Sequence, residues 1–228
     1  MEIMSLGNDD LNHLLGGGIV KRKSTILTGS YESGLSSVAL QFLLDSAHES
    51  DSSAYICIDT KPELIMERAM QYYNGINNRI QNNTLKFVEV SIQDWNVEQD
   101  INDLLLSIQL QIDALFQNFE CQRVVINSLL PQLLISLSTD KKVYFIKELY
   151  NILSSYKITS LCLLYDESLY DILFLDQSYI NDQLLFQKQD LNNYNTYSLK
   201  ISTQDKNKNG TYRFRFNNEN KIKVVNKL

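Results

Sequence analysis

Short runs of β-branched and aliphatic residues alternate with longer amphipathic segments along most of the chain. Such runs are typical of strands buried on both faces of a parallel sheet. They read STILTG, SAYICI, LKFVEV, RVVIN and TSLCLLY, at residues 24–29, 53–58, 85–90, 123–127 and 159–165. Between them, LSSVALQFLLDSAHES, KPELIMERAMQYYN and KKVYFIKELYNILSSY repeat apolar residues every three or four positions, which predicts crossover helices. The fold class is therefore α/β, with a central, mostly parallel sheet flanked by helices. Pro62 suits the first turn of the second helix, and Asp59 or Thr60 is predicted to cap it.

The pattern changes near the C-terminus. The segments YSLKIS, TYRFRF and KIKVV read as strands, and the Asn-rich and Asn-Gly stretches between them are typical of tight turns. These strands predict a C-terminal antiparallel β-hairpin extension of the sheet. In TYRFRF, strand alternation places Tyr212, Phe214 and Phe216 on one face and Arg213 and Arg215 on the other.

Composition indicates an ordinary globular protein. The 228 residues include 44% hydrophobic and 21% charged residues, which suits one domain spanning residues 1–228. A net charge of −6 gives no general attraction to phosphate polyanions and argues against a dedicated nucleic-acid binder.

The cysteines and histidines of the sequence argue against disulfide bonds and metal sites. Cys57, Cys121 and Cys162 each lie in an apolar run, which predicts buried thiols in a reducing compartment rather than disulfides. His13 and His48 are the only histidines and show no ligand spacing, so we expect no metal site. The acidic N-terminus does not resemble a signal peptide, and no apolar run is long enough for a membrane helix. We therefore expect a cytoplasmic protein without membrane insertion.

The stretch GSYESGLSS at residues 29–37 has the spacing of a phosphate-binding loop, G-x-x-x-x-G-K-[ST]. Gly29, Gly34 and Ser36 occupy the expected positions, but Leu35 stands where the lysine would bind phosphate. Ser36 and its neighbour Ser37 also suit the start of a helix, and we expect capping there rather than Mg²⁺ binding.

The loop belongs to an ordered set of motifs. LNHLLGGGIVKRKSTILTG precedes it, AYICIDTKPELIMERA and RVVINSLLPQLL follow it, and INDQLLF lies before the terminal strands. From about Gly7 to Val225, this order resembles the KaiC-like branch of the RecA/RadA ATPase superfamily. The resemblance implies a RecA-like fold, a Walker B strand at RVVIN and a closing hairpin at the C-terminus. The three glycines at 16–18 are then expected to form a turn that brings an N-terminal helix under the sheet.

The departures from the family pattern fall on the catalytic positions. Leu35 replaces the Walker A lysine, Asn127 replaces the Walker B aspartate, and Asp59-Thr60 stands where the family has two adjacent glutamates. Glu32 adds a carboxylate to the loop and should repel phosphate. The resemblance still defines a degenerate nucleotide site, but no catalytic residue is assigned; its members are Gly29, Ser33, Gly34, Leu35, Ser36, Ser37, Asp59 and Asn127.

Three functions fit this sequence. The first is a non-catalytic RecA-fold pseudo-ATPase that acts in regulation or assembly by binding another protein, including a homologous RecA-fold subunit. The second is a regulator that binds ATP or ADP with little or no hydrolysis, although no cofactor is expected under the first. The third is a DNA-recombination accessory protein, which rests on the breadth of the family and on Arg213 and Arg215. In the family a Lys-x-Arg pair on the preceding strand often reaches a neighbour's nucleotide. The register of Lys200 leaves that pair open here, and if Lys200 is shifted the pair becomes Ile201 and Thr203.

The loss of a nucleotide also bears on assembly. Related RecA-fold proteins hold nucleotide between subunits, and a shared ligand adds its binding energy to that of the interface. We therefore expect an oligomer smaller than a hexamer when the protein is alone.

Overall fold

A computed structural model describes most of the chain and includes both the phosphate-loop segment and the C-terminal strands. The described residues are 2–45, 51–58, 60–92, 95–96, 98–128, 137–170, 173, 182–191, 194–203, 206–217 and 221–228.

A nine-stranded sheet forms the centre of the protein. Its strands are β3 (Ser24–Gly29), β4 (Ser53–Ile58), β5 (Leu85–Val90), β6 (Arg123–Ser128), β7 (Thr159–Leu164), β8 (Asp182–Leu191), β9 (Tyr194–Thr203), β10 (Gly210–Phe216) and β11 (Ile222–Lys227). Their order in the sheet is β11-β10-β9-β8-β3-β7-β6-β4-β5, and all neighbours from β8 to β5 are parallel. The predicted parallel strands are all present, with bounds within one residue. The antiparallel extension is also confirmed, because β8 to β11 pair antiparallel.

Helices cover the sheet in the pattern that two-sided burial requires. The described helices are α1 (Asp9–Leu14), α2 (Leu35–Leu44), α3 (Glu63–Tyr72), α4 (Ile76–Gln81), α5 (Ile101–Asn118) and α6 (Thr139–Ser155). Apolar residues of α5 and α6 share one core cluster with the sheet. Apolar residues of α1 to α4 share the other cluster, together with the inner face of β9 to β11. The phosphate-loop segment lies between β3 and α2, within this second layer.

The N-terminal segment packs on the second layer through a glycine turn. Strands β1 (Ile3–Met4) and β2 (Ile19–Val20) form a small antiparallel sheet around α1. Gly18 has φ of +139°, and a Cβ there would collide with the carbonyl oxygen of Met4. Glycine is therefore required where the chain passes β1, as the triple-glycine sequence predicted.

Two arginines, Arg123 (buried) and Arg79 (half-buried), bind the C-terminal end of α2. Arg123 donates to the carbonyl oxygen of Phe42 at 3.1 Å, and Arg79 donates to that of Leu43 at 3.0 Å. Carbonyl groups in the last turn of a helix lack hydrogen-bond partners inside the helix. A cation at this end is also attracted by the negative end of the helix dipole. The helix that follows the loop is thus anchored from strand β6 and helix α4.

The predicted cap of α3 is wrong for Thr60. The helix begins at Glu63, and Pro62 occupies the N-cap position without a side-chain cap. The hydroxyl of Thr60 instead lies 3.5 Å from the carbonyl oxygen of Ile58. Proline already has helical φ and lacks an N–H, so this end needs one partner fewer. Asp59 lies outside the described residues.

Candidate functional site

The loop retains the backbone shape that its glycines predict. Gly29 ends β3 beside Phe186 of β8, and Gly34 is the N-cap residue of α2 with φ of +99°. A non-glycine residue is strained at that angle. The turn from strand to helix therefore resembles a phosphate loop in outline.

Leu35 occupies the interior of this turn. Its side chain is 0% exposed and belongs to the apolar cluster beneath α2. A Cβ placed on Gly29 would lie 2.8 Å from Cδ1 of Leu35, so the side chain reaches back to the start of the loop. The position that would present a lysine to phosphate is thus part of the core.

The serine hydroxyls of the loop bond to other protein groups. Ser33 Oγ donates to the carbonyl oxygen of Ser30 at 2.6 Å. Ser36 Oγ lies 3.1 Å from the hydroxyl of Tyr165, and Ser37 Oγ lies 3.0 Å from that of Tyr73. The expected serine cap is wrong, because the N-cap residue is Gly34 and it has no side-chain cap.

The acidic residue of the loop is paired. Glu32 Oε2 accepts a hydrogen bond from Lys188 Nζ of β8 at 2.5 Å. The bond and the charge of Lys188 lower the pKa of Glu32, which keeps the carboxylate ionised. Lys188 therefore brings a cation to the loop, but its ammonium group is paired with Glu32.

Aromatic rings cover both sides of the loop. The rings of Tyr31 and Tyr165 stack with centroids 4.2 Å apart and an interplanar angle of 7°. On the other side, a Cβ on Gly34 would collide with the ring of Phe216, which itself packs edge-on against Tyr197 at 5.1 Å. The sequence did not predict these contacts. Strand alternation places Phe216 on the buried face of β10 but does not specify the helix end that its ring covers.

Asn127 stands at the carboxyl end of β6, next to Cys57 of β4. It is 1% exposed, and its Oδ1 finds no hydrogen-bond donor among the described residues. Burial raises the pKa of the Cys57 thiol to about 12, while a hydrogen bond with Asn127 opposes that shift. The thiol therefore stays protonated beside Asn127 at neutral pH.

A cavity of about 600 Å³ opens beside the loop, between α2, α3 and the closing hairpin. Its wall includes the guanidinium of Arg68, which forms no ion pair with another described residue. The remaining lining is largely aromatic and polar: Tyr31, Glu32, Gly34, Ser36, Ser37, Leu40, Ile65, Gln71, Tyr72, Tyr73, Tyr197, Phe216 and Asn217. Cavities of this volume are typical of small-molecule sites.

Register settles the position of Lys200 on β9. Lys200 lies opposite Leu185 and Thr211, and its ammonium is 4.8 Å from the ring centroid of Tyr170. The shifted pair, Ile201 and Thr203, is buried.

The described residues were compared with the expectations for cysteines, metal ligands and membrane helices. All three cysteines are buried free thiols, as predicted. No cluster of three or more histidine, cysteine, aspartate or glutamate side chains suited to a metal occurs in the described part of the chain. None of the described helices has the length and apolar character needed to cross a membrane.

Comparisons with known proteins agree with this architecture. A comparison with curated proteins gave no match. Among solved structures, the chain resembles the KaiC-like protein PH0186 of Pyrococcus horikoshii OT3, with a TM-score of 0.74 and 14% identity over 98% of this chain and 99% of the other. That likeness shows a shared RecA-like fold. A family model described as "ATPase: KaiC" matches residues 5–171, which is more than half of the sequence. The chain therefore belongs to the KaiC ATPase-domain family.

Proposed function

We propose that this protein is a non-catalytic member of the KaiC family that acts in regulation or assembly by binding another protein. The observation that carries the proposal is the burial of Leu35 inside the phosphate loop. A phosphate loop works because backbone amides and a lysine together surround a polyanion. Here the position of the cation is part of the hydrophobic core.

The other changes act in the same direction. Glu32 brings a carboxylate to the loop, and Lys188 is engaged by it. Asn127 replaces the aspartate of the Walker B strand, so the carboxyl end of β6 lacks the charge that helps to hold Mg²⁺. Phosphoryl transfer depends on positioning and electrostatic stabilisation. Three positions that would supply such stabilisation in the family are changed together, namely Leu35, Asn127 and Asp59-Thr60.

Protein binding is the role that such a domain retains. A fold outlasts its chemistry when its surfaces remain useful, and function must then be sought at those surfaces. The apolar core and the glycine turns are kept in this chain, whereas the catalytic positions are not. The partner is a different protein or a homologous RecA-fold subunit.

A nucleotide-binding regulator is the second candidate, favoured by the cavity beside the loop. Arg68 offers a cation on its wall, and Tyr72 offers an exposed ring. A nucleotide held there would contact the outside of the loop rather than its interior. Binding would then depend on Arg68 and not on position 35.

Thermal unfolding with and without nucleotide separates the two candidates. We expect millimolar Mg-ATP or Mg-ADP to leave the melting temperature of the purified protein unchanged, because a ligand stabilises only a state that binds it. Arg68→Gln is the matched variant. A nucleotide-dependent rise that this substitution removes would replace the first proposal with the second.

Light scattering tests assembly independently. We expect a species smaller than a hexamer at micromolar concentration, with a mass that does not change when ATP is added. A hexamer that forms only with ATP would contradict the non-catalytic proposal and favour a nucleotide switch.

A further inference from the structure

One face of the antiparallel extension carries a row of cations. Lys200 of β9, Arg213 and Arg215 of β10, and Lys223 of β11 are all exposed. They point away from the cluster that contains Tyr212 and Phe214, so they lie on the opposite face of the sheet from α2. We call these four residues the basic face.

The pairing register brings these charges close together. Arg215 lies directly opposite Lys223, and Thr211 lies opposite Lys200. Arg213 follows the same face two residues before Arg215. Like charges placed directly opposite in adjacent strands destabilise a sheet. The fold itself therefore does not explain this arrangement.

Among the described residues, Asp10 and Glu167 bring carboxylates near the basic face. Asp10 accepts a hydrogen bond from Lys223 at 3.2 Å, and Glu167 lies at the rim, where it accepts from Gln187 of β8 at 3.1 Å. The guanidinium groups of Arg213 and Arg215 form no hydrogen bond or ion pair with the side chains described in the structure. Two guanidinium groups thus remain available on a chain whose net charge is −6.

The outer edge of β11 is covered in part beside this face. Asn8 donates to the carbonyl oxygen of Ile222 at 3.1 Å, and Asp10 accepts from the backbone N–H of Val224 at 2.7 Å. Side chains from the start of α1 therefore occupy backbone groups that an added strand would need. Strand addition is hindered at Ile222 and Val224, so we expect recognition here to use the side chains of the face.

We propose that the basic face docks an acidic patch on a protein partner. Arginine forks suit carboxylates because each can donate two parallel hydrogen bonds. A protein partner is favoured over nucleic acid because the net negative charge repels a long polyanion. In addition, the aromatic residues of β10 lie on the other face, where they cannot stack on bases. This inference rests on the proposed function and names the chemistry of the partner.

A fluorescein-labelled peptide of twelve glutamates serves as the probe, followed by anisotropy at low and at near-physiological salt. The test variant is Arg213→Gln with Arg215→Gln. The matched control is Lys61→Gln with Lys141→Gln, which removes the same charge from exposed positions elsewhere. We expect the test variant to lose about tenfold in affinity, because the two substitutions remove two exposed charge pairs with the peptide. The control should stay within about twofold of the original protein.

Three results would overturn the inference. The first is equal loss of binding in both double variants. The second is tighter binding of a twelve-nucleotide thymidine strand than of the peptide at the same salt, which would make the face a nucleic-acid surface. The third is self-association, seen by sedimentation without peptide, that only the Arg213/Arg215 variant abolishes. None of these depends on nucleotide turnover, so they are distinguishable from a failure of the proposed function.

Discussion

The phosphate loop and the basic face treat their polar groups in opposite ways. In the loop, Glu32 is paired with Lys188, and Ser36 bonds to Tyr165. On the basic face, Arg213 and Arg215 remain exposed. The first region satisfies its polar groups within the fold, whereas the second leaves charge available to another molecule. The difference is the basis of our two proposals, that the loop has a structural role in this protein and that the basic face binds a partner.

The largest change in the free energy of unfolding is expected in the phosphate loop, at the buried Leu35. Leu35→Lys should lower the free energy of unfolding by roughly 4 kcal/mol, because it removes apolar packing and places an ammonium in the core. It should not produce ATP hydrolysis, since Asn127 still lacks the carboxylate for metal. Urea unfolding and phosphate release measure the two outcomes.

Leu35→Met is the control variant and should lower the free energy of unfolding by less than about 1.5 kcal/mol. A Leu35→Lys variant as stable as the original protein, or one that hydrolyses ATP, would show that the loop interior is open.

Two glycines at helix starts allow the effect of the Phe216 ring on stability to be measured. Gly34 and Gly75 both open helices with positive φ, but a Cβ on Gly34 meets Phe216 while one on Gly75 meets nothing within 4 Å. Gly34→Ala should therefore cost roughly 3 kcal/mol and Gly75→Ala roughly 1 kcal/mol, as measured by urea unfolding. Equal costs would mean that Phe216 does not close the loop.

The buried thiol near the loop makes stability fall at alkaline pH. The folded protein keeps Cys57 protonated to a pKa of about 12, whereas the unfolded thiol ionises from its ordinary value of 9.0. Between these values the unfolded state binds fewer protons, so the free energy of unfolding decreases as pH rises. At pH 10 the contribution is about 1 kcal/mol relative to pH 8.

Comparison of urea midpoints at the two pH values measures this effect, with Cys57→Ala as the control. The substitution should flatten the dependence on pH, although other buried thiols and tyrosines keep part of it. An unchanged slope in the variant would contradict the burial of Cys57 against Asn127.

The smallest effect is expected on the basic face. Arg215→Gln should change the free energy of unfolding by no more than about 0.5 kcal/mol, because the guanidinium is exposed and faces Lys223. Arg215→Glu, which creates an opposite-charge pair across the strands, is the companion variant and should be at least as stable. Destabilisation by more than about 2 kcal/mol in either variant would assign Arg215 to the fold instead of to a partner.

The sequence predicted the sheet better than the site. Strands such as β3 and β4 combine β-branched residues with complete burial, so the local pattern and the tertiary environment agree. The cap of α3 failed because Thr60 and Pro62 both favour a helix start, and local preference could not decide between them. The positions of Leu35 and Asn127 followed from motif spacing alone. The contacts of Tyr31 with Tyr165, and of Gly34 with Phe216, join residues far apart in the chain, and no local pattern specifies such pairs.

Phosphate release by the purified protein tests the central claim most directly. With saturating Mg-ATP, we predict no release above the background without protein, because Leu35 lies in the core and Asn127 carries no carboxylate. Asp59→Ala, which removes the carboxylate that the sequence has where the family resemblance expects a glutamate, should give the same trace as the original protein. Release at a rate typical of enzymes, about 1 s⁻¹ or more, that disappears in the Asp59→Ala variant would contradict the account.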